Sequence, residues 1–250
     1  MHDEQVISTE LSSDALGAKA RVLRYGHWGR PVLAFPAEQG RACDFEDNGM
    51  VGATADLIEA GRMKLYCVDS YDAASWSNRD LPLEERARIH GRYESWILGE
   101  VVPWIYSDCG GALEVATLGC SLGAFHAANF ALRRADLFPL ALCFSGNYDP
   151  SSWNAWGERG PAAFANNPVD YVGHLAGGHL DWLRGRLSLL LVCGQGQWED
   201  TTGALASTRQ FAGRLDAQGI RHELDLWGTD VPHGWPSWRA QVARHMPRFC

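Results

Sequence analysis

Gly119-Cys120-Ser121-Leu122-Gly123 is the stretch on which the fold of this chain turns, because of what stands on either side of it. The apolar run Ala112–Leu118 reads as a short buried strand, and Ala124–Leu132 reads as a helix of small and apolar residues. Strand, sharp turn and helix are the setting in which G-x-S-x-G forms a nucleophile elbow. The glycines two before and two after the serine allow strand and helix backbones to approach where a side chain would collide. The serine then sits at a helix N-terminus, whose free amides favour negative charge.

Working outward, strand and helix patterns alternate along most of the chain. Gln5–Leu11 and Ala18–Tyr25 predict an antiparallel opening pair, and Pro31–Phe35 a buried strand closed by Pro36. Gly49–Ala60 carries a helical pattern, Lys64–Val68 is the next strand, and Leu83–Ser107 is a long amphipathic stretch expected to bend or break at Pro103. Beyond the elbow come strands at Leu140–Phe144 and Leu187–Val192, a helix at Leu205–Gln218 ended by Gly219, a strand at Arg221–Trp227 and a helix from Trp238. Strands separated by helices imply an α/β fold, a mostly parallel central sheet with helices on both faces. No repeat or interdomain linker interrupts residues 1–250, so a single domain is expected. Gly146–Arg186 lacks a clear strand and is too long for a plain connection; it is expected to pack over the site as a modest cap.

Composition narrows the partners. A net charge of −8 over 250 residues argues against nucleic acid or an anionic membrane surface. No apolar run reaches the roughly 18–20 residues that span a bilayer. The opening Met1-His2-Asp3-Glu4-Gln5 has neither the basic nor the apolar segment of a secretory signal, so none is expected. Seven cysteines, with Cys67, Cys143 and Cys193 inside strand-like apolar runs, suit reduced thiols and a cytoplasmic location. No spacing of a zinc site occurs, and no metal or organic cofactor is implied.

Serine-based acyl transfer needs a base for the serine proton and a carboxylate to orient that base, in the chain order serine, acid, histidine. His126 falls inside the elbow helix and should point away from Ser121; His174 and His179 precede any acid after the strand Leu187–Val192; His222 opens a strand and His245 sits in the last helix. His233 remains, in the loop Val231-Pro232-His233-Gly234-Trp235-Pro236 between the last strand and last helix. The acid should follow Cys193, where Gly194-Gln195-Gly196-Gln197-Trp198 leads to Glu199 and Asp200; either carboxylate fits. The tetrahedral intermediate needs two amide donors, one from Leu122 and a second from the loop Ala37-Glu38-Gln39-Gly40. Cys120, beside the serine, reads as a buried spacer because the elbow exposes only its central residue.

Three segments together resemble the esterase branch of the α/β-hydrolases that contains esterase D and the mycobacterial mycolyltransferases. They are the elbow, the acid loop Cys193-Gly194-Gln195-Gly196, and His233-Gly234-Trp235-Pro236-Ser237-Trp238, an H-x-W-P-x-W. Ser145-Gly146 also fits the pattern, and the similarity runs from about Pro31 to the end. The resemblance implies an α/β-hydrolase fold and a carboxylic-ester hydrolase or, as in the mycolyltransferases, acyl transfer to a sugar hydroxyl. It implies Ser121 as nucleophile, His233 as base, and Leu122 and Ala37 as oxyanion donors. For the acid, counting from Cys193 chooses Asp200 and counting from Trp198 chooses Glu199.

Of eleven tryptophans, Trp76, Trp153, Trp156, Trp198 and Trp235 fall on loops expected at the site, and Trp76, Trp153, Trp198 and Trp235 are candidates for its walls. The leading expectation is a serine esterase acting on a small-molecule ester through a covalent acyl-enzyme. Acyl transfer to an alcohol or sugar is the alternative within chemistry, and a non-catalytic binding protein on the same fold is the alternative outside it.

Overall fold

The computed structural model describes residues 6–250. The first five residues, including Gln5 of the expected first strand and the opening read for a signal, lie outside the described residues. The strands are β1 (Val6–Ser13), β2 (Ala18–Tyr25), β3 (Arg30–Phe35), β4 (Met63–Val68), β5 (Ala116–Cys120), β6 (Leu140–Phe144), β7 (Ser188–Cys193) and β8 (His222–Leu226). They form one sheet in the order β1-β2-β4-β3-β5-β6-β7-β8. β2 runs antiparallel to both β1 and β4; every pairing from β4 through β3 to β8 is parallel.

The parallel strands β3 to β7 are buried at nearly every position because both sheet faces are covered, whereas the edge strand β8 (His222–Leu226) is not. In β3, Leu33 and Phe35 point into one core with Trp96, Ala127 and Phe211, while Val32 and Ala34 point into the other with Phe45, Leu57 and Trp238. The helices Leu83–Trp96, Leu122–Arg133 and Ala204–Gln218 cover the first face, and the helix Trp235–His245 lies on the second.

Element boundaries depart from the sequence reading in a few places. The elbow strand is Ala116–Cys120 rather than Ala112–Leu118, because pairing with β3 and β6 starts at Ala116 while residues 112–114 stay exposed after the left-handed turn at Gly110. The long helical stretch breaks one turn early: a π-helical turn at Ile97–Val101 separates Leu83–Trp96 from Val102–Cys109. Pro103 offers no N–H and its ring crowds the carbonyl four residues back, so the backbone widens before it. The pattern over Gly49–Ala60 resolves into two short pieces, Gly52–Thr54 and Ala55–Glu59. The last helix begins at Trp235, with Pro236 in its first turn. Within 146–186 the chain forms short helices and one longer one, Gly177–Arg186. No helix among the described residues is long and apolar enough to cross a membrane.

The topology gathers six loops at one edge. Each strand from β3 to β8 ends there, and the loops that follow carry Glu38, Trp76, Ser121, Ser145, Glu199 and His233. The crevice beyond the carboxyl ends of parallel strands is where open α/β sheets bind ligands.

Candidate active site

Ser121 has φ 55° and ψ −121°, a conformation forced by the turn between β5 and the helix Leu122–Arg133. The turn is as tight as the motif requires: a Cβ on Gly119 would lie 2.0 Å from the Gly123 carbonyl oxygen, and one on Gly123 would lie 2.3 Å from that of Phe35. Cys120 is fully buried beneath the elbow, and burial pushes its thiol well above the ordinary range, with Cys143 nearby adding to the shift. A thiol held neutral in this way is a packing group.

Ser121 Oγ lies 3.0 Å from His233 Nε2, and His233 Nδ1 lies 2.9 Å from Glu199 Oε2. The loops that carry the histidine and the acid are zipped together, since Gly196 N–H donates to the Val231 carbonyl and His233 N–H to that of Gln197, both at 2.9 Å. Gly194 lies so close that its Cβ would sit 2.1 Å from the Val231 oxygen. His233 thereby reaches back over the sheet edge toward the elbow.

The two candidate acids stand in different surroundings. Glu199 is completely buried, whereas Asp200 is exposed and caps its neighbour Thr201. Trp198, held at φ 73°, makes the turn that sends Glu199 inward. The second oxygen of Glu199 accepts from Ser145 Oγ at 2.6 Å and from Gly194 N–H at 3.3 Å. Ser145 Oγ in turn accepts the Trp238 indole N–H at 3.1 Å, and Trp238 packs edge-on against the His233 ring. The sequence singled out Ser145 and Trp238 only as parts of a pattern; their place beside the acid emerges from the structure.

A cavity of about 350 Å³ opens over Ser121 and His233. Trp76, Trp153 and Leu122 line it on one side; Ser77, Asn147, Ser152, Asn154, Thr201 and Thr202 supply a polar wall, with Glu38 and Arg79 at the rim. Two of the expected wall residues lie elsewhere. Trp198 is 54% exposed beside the acid loop, and Trp235 packs on Phe45 and Trp238 in the core below. Ala37 packs against that same core, and its neighbour Glu38 is the one that faces the cavity. His126 is buried on the far side of its helix and bonds to Asp72. Among the described residues, Cys43, Asp44 and Asp47 form a group that offers metal-ligand atoms; Arg41 already pairs with both carboxylates, and none of the three lines the cavity.

A family model described as "Putative esterase" matches residues 35–249. The chain belongs to this esterase family. No curated protein matches it in sequence. Among solved structures, a ferulic acid esterase superposes with a TM-score of 0.75 at 19% identity, covering 98% of this chain and 97% of that one. MPT51 (FbpC1) of Mycobacterium tuberculosis gives a TM-score of 0.75 at 15% identity, with 97% of each chain covered. An S-formylglutathione hydrolase from Agrobacterium tumefaciens gives 0.74 at 15% identity, covering 97% of this chain and 93% of that one. At these identities the superpositions establish the α/β-hydrolase fold, and the family model establishes an esterase.

Two features of the esterase's site have no counterpart in the motif reading. Arg86 is buried without a carboxylate partner, and its guanidinium donates instead to the carbonyls of Trp76, Arg79, Leu81, Trp153 and Asn154. It therefore clamps the loop after β4 to the loop that carries Trp153, the two sides of the aromatic wall. Burial, and then the charge of Arg79, pull its pKa down from the ordinary arginine value. The second feature is backbone strain. The non-glycine residues with positive φ among the described residues are Gln39, Ser121, Ser145, Asn154 and Trp198, and each lines the cavity or adjoins a residue of the site.

Proposed function

We propose that this protein is a serine carboxylic-ester hydrolase in which Ser121 is the nucleophile, His233 the general base and Glu199 the residue that orients it. What supports this reading is the unbroken hydrogen-bonded line from Glu199 through His233 to Ser121, with the acid end buried and the serine end open to the cavity. Ser121 Oγ attacks the ester carbonyl carbon while its proton passes to His233 Nε2. His233 keeps its Nδ1 proton on Glu199, which stabilises the imidazolium. The oxyanion is held by the amides of Leu122 and Ala37, each contributing about 2.7–4 kcal/mol to the barrier reduction. Neither amide has a hydrogen-bond partner among the described residues, as donors reserved for a ligand require. Collapse expels the alcohol, which takes the proton from His233 and leaves an acyl-serine. Water, deprotonated by His233, then releases the acid and restores Ser121.

The substrate is a small-molecule ester, its size bounded by the cavity, with one face against Trp76 and Trp153 and the other against the hydroxyl and amide side chains. The chain is read as a single domain whose segment 146–186 contributes Asn147, Ser152, Trp153 and Asn154 to the cavity. Seven free cysteines suit the cytoplasm as its location.

Hydrolysis of p-nitrophenyl esters from acetate to decanoate by the wild type and Ser121→Ala tests the assignment. Activity lost in the variant, together with fluorophosphonate labelling of wild type only, is expected; equal activity in both overturns it. Adding a competing alcohol to the same assay separates hydrolysis from acyl transfer by its product.

A further inference from the structure

Asp72 and His126 lie outside the line of proton transfer, yet both are among the most deeply buried polar groups of the molecule, each 1% exposed. Asp72 follows β4, and His126 lies in the elbow helix five residues after Ser121. Asp72 Oδ1 is 2.9 Å from His126 Nε2, and Asp72 Oδ2 accepts the backbone N–H of Gln39 at 3.3 Å. One buried carboxylate thus joins the two segments from which the oxyanion donors come, the start of the elbow helix and the loop Ala37–Gly40.

A buried carboxylate is costly to desolvate and persists where its partners satisfy it. Gln39 shows what this one does, for it is held at φ 55°, a conformation a non-glycine residue leaves unless it is restrained. The loop of Asp72 and the loop of Gln39 are tied again nearer the surface: Ser77 Oγ donates to Glu38 Oε1 at 2.6 Å, while Ser77 N–H donates to the Asp72 carbonyl at 2.9 Å. His126 has no second polar partner, since its Nδ1 is buried and unpaired. Behind it stacks His90, with ring centroids 5.2 Å apart and both nitrogens unpaired. Nothing else competes for His126, so its ring serves to hold Asp72.

We infer that Asp72 and His126 are a positioning pair that sets the oxyanion hole, by fixing the Gln39 peptide and with it the loop bearing the Ala37 amide against the elbow helix. The pair touches no reacting atom. The inference rests on the oxyanion assignment proposed above. It makes Asp72 a residue for transition-state stabilisation rather than for substrate binding.

The experiment measures kcat, KM and the inhibition constant of a trifluoromethyl ketone, whose hemiketal oxyanion occupies the hole, in Asp72→Ala, Asp72→Asn and the double variant Asp72→Leu/His126→Phe. The double variant replaces both polar groups by apolar ones of the same branching and leaves no buried carboxylate or imidazole unpaired, so it keeps the proposal testable where Asp72→Ala fails to fold. Asp72→Ala and the double variant are expected to lose about 10–100-fold in kcat with KM within about twofold, as loosening a donor by a fraction of an ångström would. The ketone should weaken in parallel with kcat/KM. Asp72→Asn still offers an oxygen to Gln39 and an amide to His126, so it should stay within about fivefold of wild type. A folded double variant with wild-type kcat and ketone affinity would overturn the positioning role. If Ser121→Ala keeps wild-type esterase activity, the assignment of the site itself fails, which is a different result.

Discussion

Ser145 Oγ donates a 2.6 Å hydrogen bond to Glu199 Oε1, and the same hydroxyl accepts the Trp238 indole N–H. Glu199 is therefore held by a residue after β6, itself fixed by a residue of the last helix, in addition to its own loop. Ser145→Ala leaves Glu199 Oε1 with only the longer Gly194 contact and strands a buried indole N–H. Thermal and urea unfolding should show a loss of about 1–3 kcal/mol. The kcat should fall about ten- to a hundredfold as the acid and His233 lose their alignment. Wild-type kcat in a folded Ser145→Ala would count against this support.

The two adjacent carboxylates should separate cleanly. Glu199→Gln keeps the shape but removes the charge and favours the wrong histidine tautomer, so kcat should fall about 10³–10⁴-fold. Asp200→Asn changes an exposed side chain and should leave kcat/KM within about twofold. Steady-state kinetics on one p-nitrophenyl ester is enough, and reversed sensitivities would move the acid to Asp200.

Arg86→Lys keeps the positive charge but not the planar fork that reaches carbonyls on two loops. Lost bonds to a buried charged group should cost roughly 2–3 kcal/mol in stability. Because Trp76 and Trp153 line the cavity, KM should rise while kcat changes less. A change confined to kcat would mean that the clamp serves something other than substrate contact.

His90 is kept neutral in the folded protein, first by burial and then by its neighbours His126 and Arg133, so its pKa lies well below 6.5. The rings of Trp76, Tyr93, Phe125 and Phe130 also pack around it. The unfolded chain takes up a proton as pH drops through 6.5, and the folded chain does not. Stability tied to this residue is thus complete above pH 6.5 and declines as pH falls from there toward the folded pKa. His90→Phe should reduce the loss of unfolding free energy between pH 7.5 and pH 5. Denaturation at the two pH values measures this, and identical losses in wild type and variant would refute it.

Much of the architecture can be read from local pattern. The β6 boundaries Leu140–Phe144 agree with the sequence reading because both sheet faces demand apolar residues there. Ser121 and His233 stand out because their loops carry glycine, proline and tryptophan at fixed offsets. Glu199 and Asp200 could not be separated in this way, since one turn at Trp198 decides which of two neighbours goes inward. Trp198 and Trp235 do not line the cavity, since a loop position says nothing about which way an indole points. Arg86 sits among Glu84, Glu85 and Arg88 and looks like one more surface charge, yet it shares the buried stripe of Leu83, Ala87, His90 and Tyr93. That helical spacing was its only signal in the sequence. The Asp72–His126 pair left none, for its members are 54 residues apart and meet only once the sheet has assembled.

The clustering of positive φ angles at Gln39, Ser121, Ser145, Asn154 and Trp198 bears on how this enzyme can be changed. At about 1–3 kcal/mol each, such conformations together rival the net stability of an ordinary domain. Outside the glycines, the described backbone keeps this tension at the sheet edge where the loops converge. Glycine at Trp198 or Asn154 would let the chain relax and raise its melting temperature, but at the positions that aim the acid and shape the cavity. Thermal robustness and catalytic competence draw on the same few peptide units, so selection for heat tolerance in this scaffold should find its gains in the opening hairpin and the outer helices, and leave the four loops that carry these residues strained.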